Sequence, residues 1–343
     1  DTTPEPDAVE ALVDEISSDD RIGGISAIYS IDDSALDGPM AKFLIAGQRA
    51  QFSAFNMQNL LKGRNMAVLG GQFSIFSTRA LRDVLRDSHQ RTPWVKDSEV
   101  EDSLLSLQIK SAGYLTKISA TARAHVGGMT TLRSLDAQQV KWNFGAIDLM
   151  WPGQRGDTRG QPFHPNLRLR WFEHMSMVIN MVTRLMFLML LLGSLSIDAF
   201  VFQLWWAIPP VIAILLNFRV ARSMAFVNRR DYLFALTLVP AEIYMWTRMG
   251  HFVRAWLKFF SHQQTDNWAA QAKAERGKGS SWLYPYLTLL VFLAASAAIW
   301  LQLPVDIRSD VLAVGWPILG IVTVLQTAWM FIKASKRYRG FKA

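Results

Sequence analysis

Cysteine is absent from the 343-residue chain, which excludes a small secreted module held by disulfides. Basic residues are nearly absent from the first 40 positions, which hold eleven acids and one base, Arg21; the rest carries 35 bases against 17 acids. Charge of either sign is missing from two 22-residue runs, 282–303 (WLYPYLTLLVFLAASAAIWLQL) and 311–332 (VLAVGWPILGIVTVLQTAWMFI). Uncharged apolar runs of about 20 residues match the hydrocarbon thickness of a bilayer, so a wholly soluble protein is excluded. A hydrophobic share of 50% also excludes a disordered or fibrous chain. An initiating Met, a basic leader and a signal peptide are lacking too. The opening Asp1-Thr2-Thr3-Pro4-Glu5-Pro6-Asp7 predicts a chain cut from something longer.

What is present falls into two halves. The two uncharged runs, joined by the short linker PVDIRSD, form a predicted helical hairpin with aromatics near its ends, as interface anchors. Upstream, Asp198 is the only charge from Leu185 to Phe218. That stretch suits two spans, roughly 177–197 and 201–218, turning at Ser196–Ala199; Pro209 and Pro210 would kink the second. Arg184 lies inside the first. It either snorkels to the interface or faces a polar cavity. Arg219, Arg222, Arg229 and Arg230, the segment 273–278 and the tail KASKRYRGFK place these loops on the cytoplasmic side. This accounts for the basic excess, and no nucleic-acid partner is expected. Segment 231–260 then has cytoplasmic flanks at both ends. With Glu242, Arg248, Arg254 and a central Pro240, it reads as an interfacial or re-entrant helix broken near Pro240.

In the first half, 6–18 reads as an amphipathic helix and 24–30 as a strand. Residues 41–62 read as a helix, and 66–76 as two short strands around Gly70-Gly71. Residues 78–87 and 101–112 look helical, and 114–125 looks like a strand. Such alternation predicts an α/β layer. Three local patterns stand out: Gly70-Gly71-Gln72-Phe73 running into Ser74–Leu81; Val100-Glu101-Asp102 entering a helix; and Gln138-Gln139-Val140-Lys141-Trp142. Alone, each has an ordinary explanation: a turn, a helix start complementing its dipole, and a polar surface.

In this order and directly ahead of membrane spans, the three resemble the membrane-embedded family 2 glycosyltransferases, which include synthases of cellulose, hyaluronan, chitin and poly-N-acetylglucosamine. The family has a cytoplasmic GT-A domain with an Asp-x-Asp metal motif, a Glu-Asp motif holding the catalytic base, and a Gln-x-x-Arg-Trp motif beside the membrane. Val100–Asp102 matches the second and Gln138–Trp142 the third. Gly70–Arg79 looks like the acceptor-side glycine stretch, and Asp1–Ala8 resembles the residues at and after the second Asp of Asp-x-Asp. The motif Arg is Lys141 here, which lacks the planar fork that grips phosphate bidentately. The first half of the GT-A domain, with the first Asp, is expected on a missing N-terminal part.

The resemblance implies the C-terminal part of an α/β GT-A-type domain followed by an all-α transmembrane bundle with interfacial helices. The implied organisation is 1–145 for the GT-A part, 146–176 for interfacial helices, 177–218 for two spans and 231–260 for the interfacial segment. A cytoplasmic loop, 261–281, stands where the family has a gating loop; 282–332 holds two further spans and 333–343 a basic tail. The implied activity is inverting transfer of a sugar from a nucleotide-sugar, a UDP-sugar, to a growing β-linked polysaccharide, coupled to translocation through the spans. Asp102 is the implied base. Glu101, Gly71, Gln72, Phe73 and Trp142 would bind the acceptor; Gln138, Gln139 and Lys141 would bind the donor diphosphate. Asp1 would be a ligand of Mg²⁺ or Mn²⁺. His125, Thr265 and Trp268 are further candidates, for a metal or diphosphate contact and for the gating loop respectively. The implied setting is a bacterial-type inner membrane with a cytoplasmic catalytic domain and membrane lipids as partners. Two other readings stay open: a transferase that glycosylates a lipid carrier, and a non-catalytic membrane channel or scaffold.

Overall fold

A computed structural model of the chain describes residues 2–34, 36–95, 98–152, 165–261 and 266–336. Four strands, β1 (Thr2–Pro4), β2 (Ile22–Ile31), β3 (Ser74–Phe76) and β4 (Leu115–Val126), form one mixed sheet in the order β1-β4-β2-β3. β2 and β4 are parallel, with Tyr29 opposite Ala124; β1 and β3 pair antiparallel on the two edges. The parallel pair requires a long crossover. It is made by α2 (Gly38–Leu61), β3, α3 (Thr78–Ser88) and α4 (Glu101–Ser111). α1 (Ala8–Ser17) packs Ala8 and Leu12 on Ile25, Ala27 and Tyr29 of β2. A separate cluster joins Val84 of α3 and Leu105 and Ile109 of α4 to Ile28 and Ile118 of the sheet. The period-2 alternation of β2 feeds these two cores.

One expected strand does not form. Of 66–76, only Ser74–Phe76 is a strand. The Met66 N–H reaches the Thr116 carbonyl at 3.0 Å, but the Leu69 N–H donates to the Ser106 hydroxyl at 2.8 Å. A side chain on α4 therefore takes a donor that a ladder would have used.

α5 (Leu132–Met150) starts at Thr131, whose hydroxyl accepts from the Ser134 N–H at 3.1 Å. Helices α6 (Arg168–Ser196), α7 (Ile208–Arg222), α8 (Arg229–Leu236), α9 (Leu238–Phe260), α10 (Asn267–Glu275), α11 (Tyr284–Gln302) and α12 (Val305–Ser335) follow. Among the described residues, α6, α11 and α12 are long and apolar enough to cross a membrane. α7, at the expected second span, has 15 residues. The turn expected at Ser196–Ala199 is present, with Asp198 at φ 53°. Polar contacts join the apolar helices, as small hydroxyls do inside bilayers: the Trp316 indole donates to Ser194 at 2.9 Å and the Trp300 indole to Ser196 at 2.7 Å.

The interfacial part differs in detail from expectation. Residues 146–150 finish α5, and 168–176 are the first turns of α6, continuous with its apolar part. The break in 231–260 falls at Thr237, between α8 and α9, and Pro240 sits in the first turn of α9. A first-turn proline removes no helical hydrogen bond. Arg184 donates from Nε to both oxygens of Glu242 at 2.9 Å. It is thus half-buried against α9 in an ion pair.

Candidate active site

α4 begins with Glu101 and Asp102, whose charges complement the helix dipole. The Gly71 N–H donates to Asp102 Oδ2 at 3.3 Å, so the carboxylate faces the Gly70–Phe73 loop. Two side chains brace that loop. The Tyr29 hydroxyl donates toward the carbonyls of Gly70 and Phe73 at 3.0 and 3.1 Å and accepts from the Phe73 N–H at 3.0 Å. Ser106, one turn after Asp102, accepts from Leu69 and donates to the Asp102 carbonyl at 2.6 Å. A Cβ on Gly70 would lie 2.7 Å from the Tyr29 ring, so the loop approaches this close only as glycine. Gly71 and Gln72 are exposed, while Phe73 is half-buried on the α1 core.

α5 crosses close to α4. A Cβ on Gly145 would lie 2.5 Å from Val100, the residue before the Glu-Asp pair. This close crossing sets Lys141, 4% exposed, within electrostatic reach of Glu101, Asp102 and Glu99. Half-buried Trp142 packs on Phe52 of α2 with ring centroids 6.2 Å apart. Gln139 is buried and accepts from Gln51 at 3.4 Å, leaving its own amide nitrogen without a partner among the described residues. Gln138 is half-buried on the same helix.

α10 roofs this site. The Trp268 ring lies with its centroid 3.0 Å from Lys141 Nζ. The Asn267 N–H donates to Glu99 at 3.2 Å, and Lys258 of α9 donates to the Asn267 side chain. Burial pushes the Glu101 carboxyl up from its ordinary value and Asp102 adds to this, while Lys141 opposes it. Burial pushes the Lys141 ammonium down, against Glu101, Glu99 and Asp102. The site is therefore a carboxylate cluster around one buried cation.

The structure thus brings together Gly71, Glu101, Asp102 and Lys141, and places Trp142 one residue on. Tyr29, Ser106 and Glu99 were not expected; only Glu99, two residues before Glu101, had a sequence signal. His125 lies apart, 3.6 Å from Glu5 and beside Phe226. Asp1 and Thr265 lie outside the described residues. Among the described residues, no three His, Asp or Glu side chains gather into a metal cage.

The carboxylate at the start of α4 thus sits in a mixed α/β domain followed by helices long and apolar enough to cross a membrane. Residues 1–221 match the family model described as Glycosyl transferase family group 2, and the chain belongs to that family. A search of curated proteins finds no match.

Proposed function

We propose that the chain is an inverting polysaccharide synthase with a GT-A-type domain. It takes a hexose from a UDP-sugar, adds it to a growing β-linked polymer and passes the product through its own membrane helices. The observation that carries this is the Asp102 carboxylate turned to the Gly70–Phe73 loop beside the buried Lys141. Asp102 accepts the proton of the acceptor hydroxyl as its oxygen attacks the anomeric carbon. The bond to the nucleoside diphosphate breaks on the opposite face, inverting that carbon. Lys141 neutralises charge on the departing diphosphate, and Gln138 and Gln139 of the same helix bind the donor. Glu101, Gly71, Gln72, Phe73 and Trp142 bind the acceptor, and Trp142 with Phe52 offers an aromatic face to a pyranose. Mg²⁺ or Mn²⁺, with Asp1 as one ligand, supplies charge neutralisation of the diphosphate when bound. The catalytic domain is cytoplasmic in a bacterial-type cell membrane, a placement supported by the basic loops.

Membranes holding the protein, given labelled UDP-sugars, test this by product size. A polymer whose formation falls about 10²–10⁴-fold in Asp102→Asn supports the proposal. Near-normal turnover in Asp102→Asn removes the base assignment. A single lipid-linked sugar replaces the polymer by a lipid acceptor, and full activity in EDTA removes the cation.

A further inference from the structure

A cavity lies between the carboxyl end of β2, the second half of α2 and the loop joining α7 to α8. Its volume is about 590 Å³. Glu101, Asp102, Lys141 and Trp142 do not line it. Its wall combines two chemistries. Met57, Leu60 and Leu61 of α2 and Met224 and Phe226 of the loop form an apolar side. Arg123 and His125 of β4 and Arg219 and Arg222 of the last turn of α7 form a basic side.

The charge balance of this wall is positive. Arg49 is taken by Asp231, and Arg219 donates to the Lys336 carbonyl at 3.0 Å. The two acids of the wall are also engaged: Asp32 holds Ser34, and Asp33 accepts from Asn228 and Arg230. The guanidinium groups of Arg123 and Arg222 make no hydrogen bond or ion pair among the described residues. Near the end of α12, Lys333 is repelled by Lys62, the residue after Leu61, and by Lys336.

The helix that carries Arg219 and Arg222 also has an exposed apolar face. α7 exposes Ile208 at 56%, Val211 at 52% and Leu215 at 58%, and Phe226 is 63% exposed. Apolar side chains along a helix that ends in arginines belong at a lipid–water boundary. A basic pocket at such a boundary fits a phosphate with an attached hydrocarbon chain. Guanidinium groups suit a phosphate because they bind it bidentately.

We propose that this cavity binds an anionic phospholipid, with its phosphate between Arg123 and Arg222 and its acyl chains against Met57, Leu60, Met224 and Phe226. The bound lipid ties the carboxyl end of the sheet to the membrane surface. The catalytic role of Asp102 is not needed for this.

The test uses the full chain in phosphatidylcholine nanodiscs, titrated with phosphatidylglycerol and read by native mass spectrometry. Phosphatidylglycerol is expected to bind at least about tenfold more tightly than added phosphatidylcholine. The Arg123→Gln/Arg222→Gln variant is expected to abolish this preference, and Arg229→Gln, outside the cavity wall, to keep it. Arg222→Gln alone, at an exposed helix end, is expected to weaken binding severalfold with the thermal melt unchanged. Unaltered preference in both cavity variants overturns the proposal. Displacement of the lipid by millimolar inorganic phosphate also overturns it, because the site would then select free phosphate.

Discussion

Removing the Arg49 side chain tests whether the sheet domain and the interfacial helices form one unit. Arg49 of α2 donates to both oxygens of Asp231 of α8 at 2.9 and 2.8 Å. It also donates to the carbonyls of Ile31 at 2.9 Å and Phe226 at 2.6 Å. The pair is dry: Arg49 is 7% exposed and Asp231 is 3%. Arg49→Ala leaves the Asp231 carboxylate buried with only the backbone N–H of Asn228, which donates at 3.0 Å. Breaking one side of a buried ion pair costs about 3–5 kcal/mol. The retained Asn228 contact sets the expectation at the lower end, about 3 kcal/mol, or roughly a hundredfold in the folded fraction. For a chain of 343 residues that is a fall in melting temperature of about 4 °C. Asp231→Leu alone should cost as much. The double variant Arg49→Ala/Asp231→Leu should lie at least about 2 kcal/mol above the sum of the two, because no charge is then left unpaired. Scanning fluorimetry of the detergent-solubilised chain measures all four proteins. A melt within 2 °C of the parent in Arg49→Ala, or strict additivity in the double variant, refutes the reasoning.

Gly145→Ala places a Cβ against Val100; it should cost about 1–3 kcal/mol and slow sugar transfer at least about tenfold by moving the start of α4. Val100→Ala in the same chain should restore part of the rate, and equal rates in the single variant and the parent would contradict the close-crossing account. Trp268→Ala removes a cation–π contact worth about 0.5–1 kcal/mol at an exposed site, so UDP should bind about two- to fivefold more tightly by calorimetry; weaker binding would make Trp268 a donor contact instead. Glu101 has its folded carboxyl pKa raised, so its stabilising contribution is present at acid pH and lost as pH rises through that value. Glu101→Gln should therefore raise the melting temperature at pH 7–8 and leave it unchanged at pH 4, whereas a loss of stability at neutral pH would mean that Lys141 outweighs burial.

The elements most legible in the sequence were those set by local pattern. The α1, α2, α3 and α4 helices and the β2 and β4 strands lie within a few residues of expectation, because apolar periodicity and capping are local. The break at Thr237 was displaced from Pro240 because a proline reads as a breaker wherever it sits, yet three residues into a helix it is harmless. The strand expected at 66–69 failed because Ser106, on another helix, takes the Leu69 N–H. Contacts such as Tyr29 with the Gly70–Phe73 loop, or Arg184 with Glu242, join positions 41 to 58 residues apart, and no local pattern marks them. The three motifs stand out in the sequence by order and spacing alone. Their assembly does not, since it depends on Gly145 meeting Val100.

The lysine at position 141 joins the carboxylates at the start of α4 to the indole carried by α10. A guanidinium there would stack flat on an indole and keep its edge for a bidentate anion at the same time. An ammonium is compact and offers one centre of charge, which the Trp268 face now covers at 3.0 Å. Glu101, Glu99 and Asp102 oppose the lowering that burial imposes on that ammonium. Glu99 also holds Asn267, the residue before Trp268, and so anchors the start of the helix that carries the indole. If Lys141 takes the donor diphosphate as proposed, that anion competes with the Trp268 face for one ammonium, a contact of about 0.5–1 kcal/mol. The Asn267 contacts with Glu99 and Lys258 do not depend on that ammonium, so the competition loosens the indole while the start of α10 stays held.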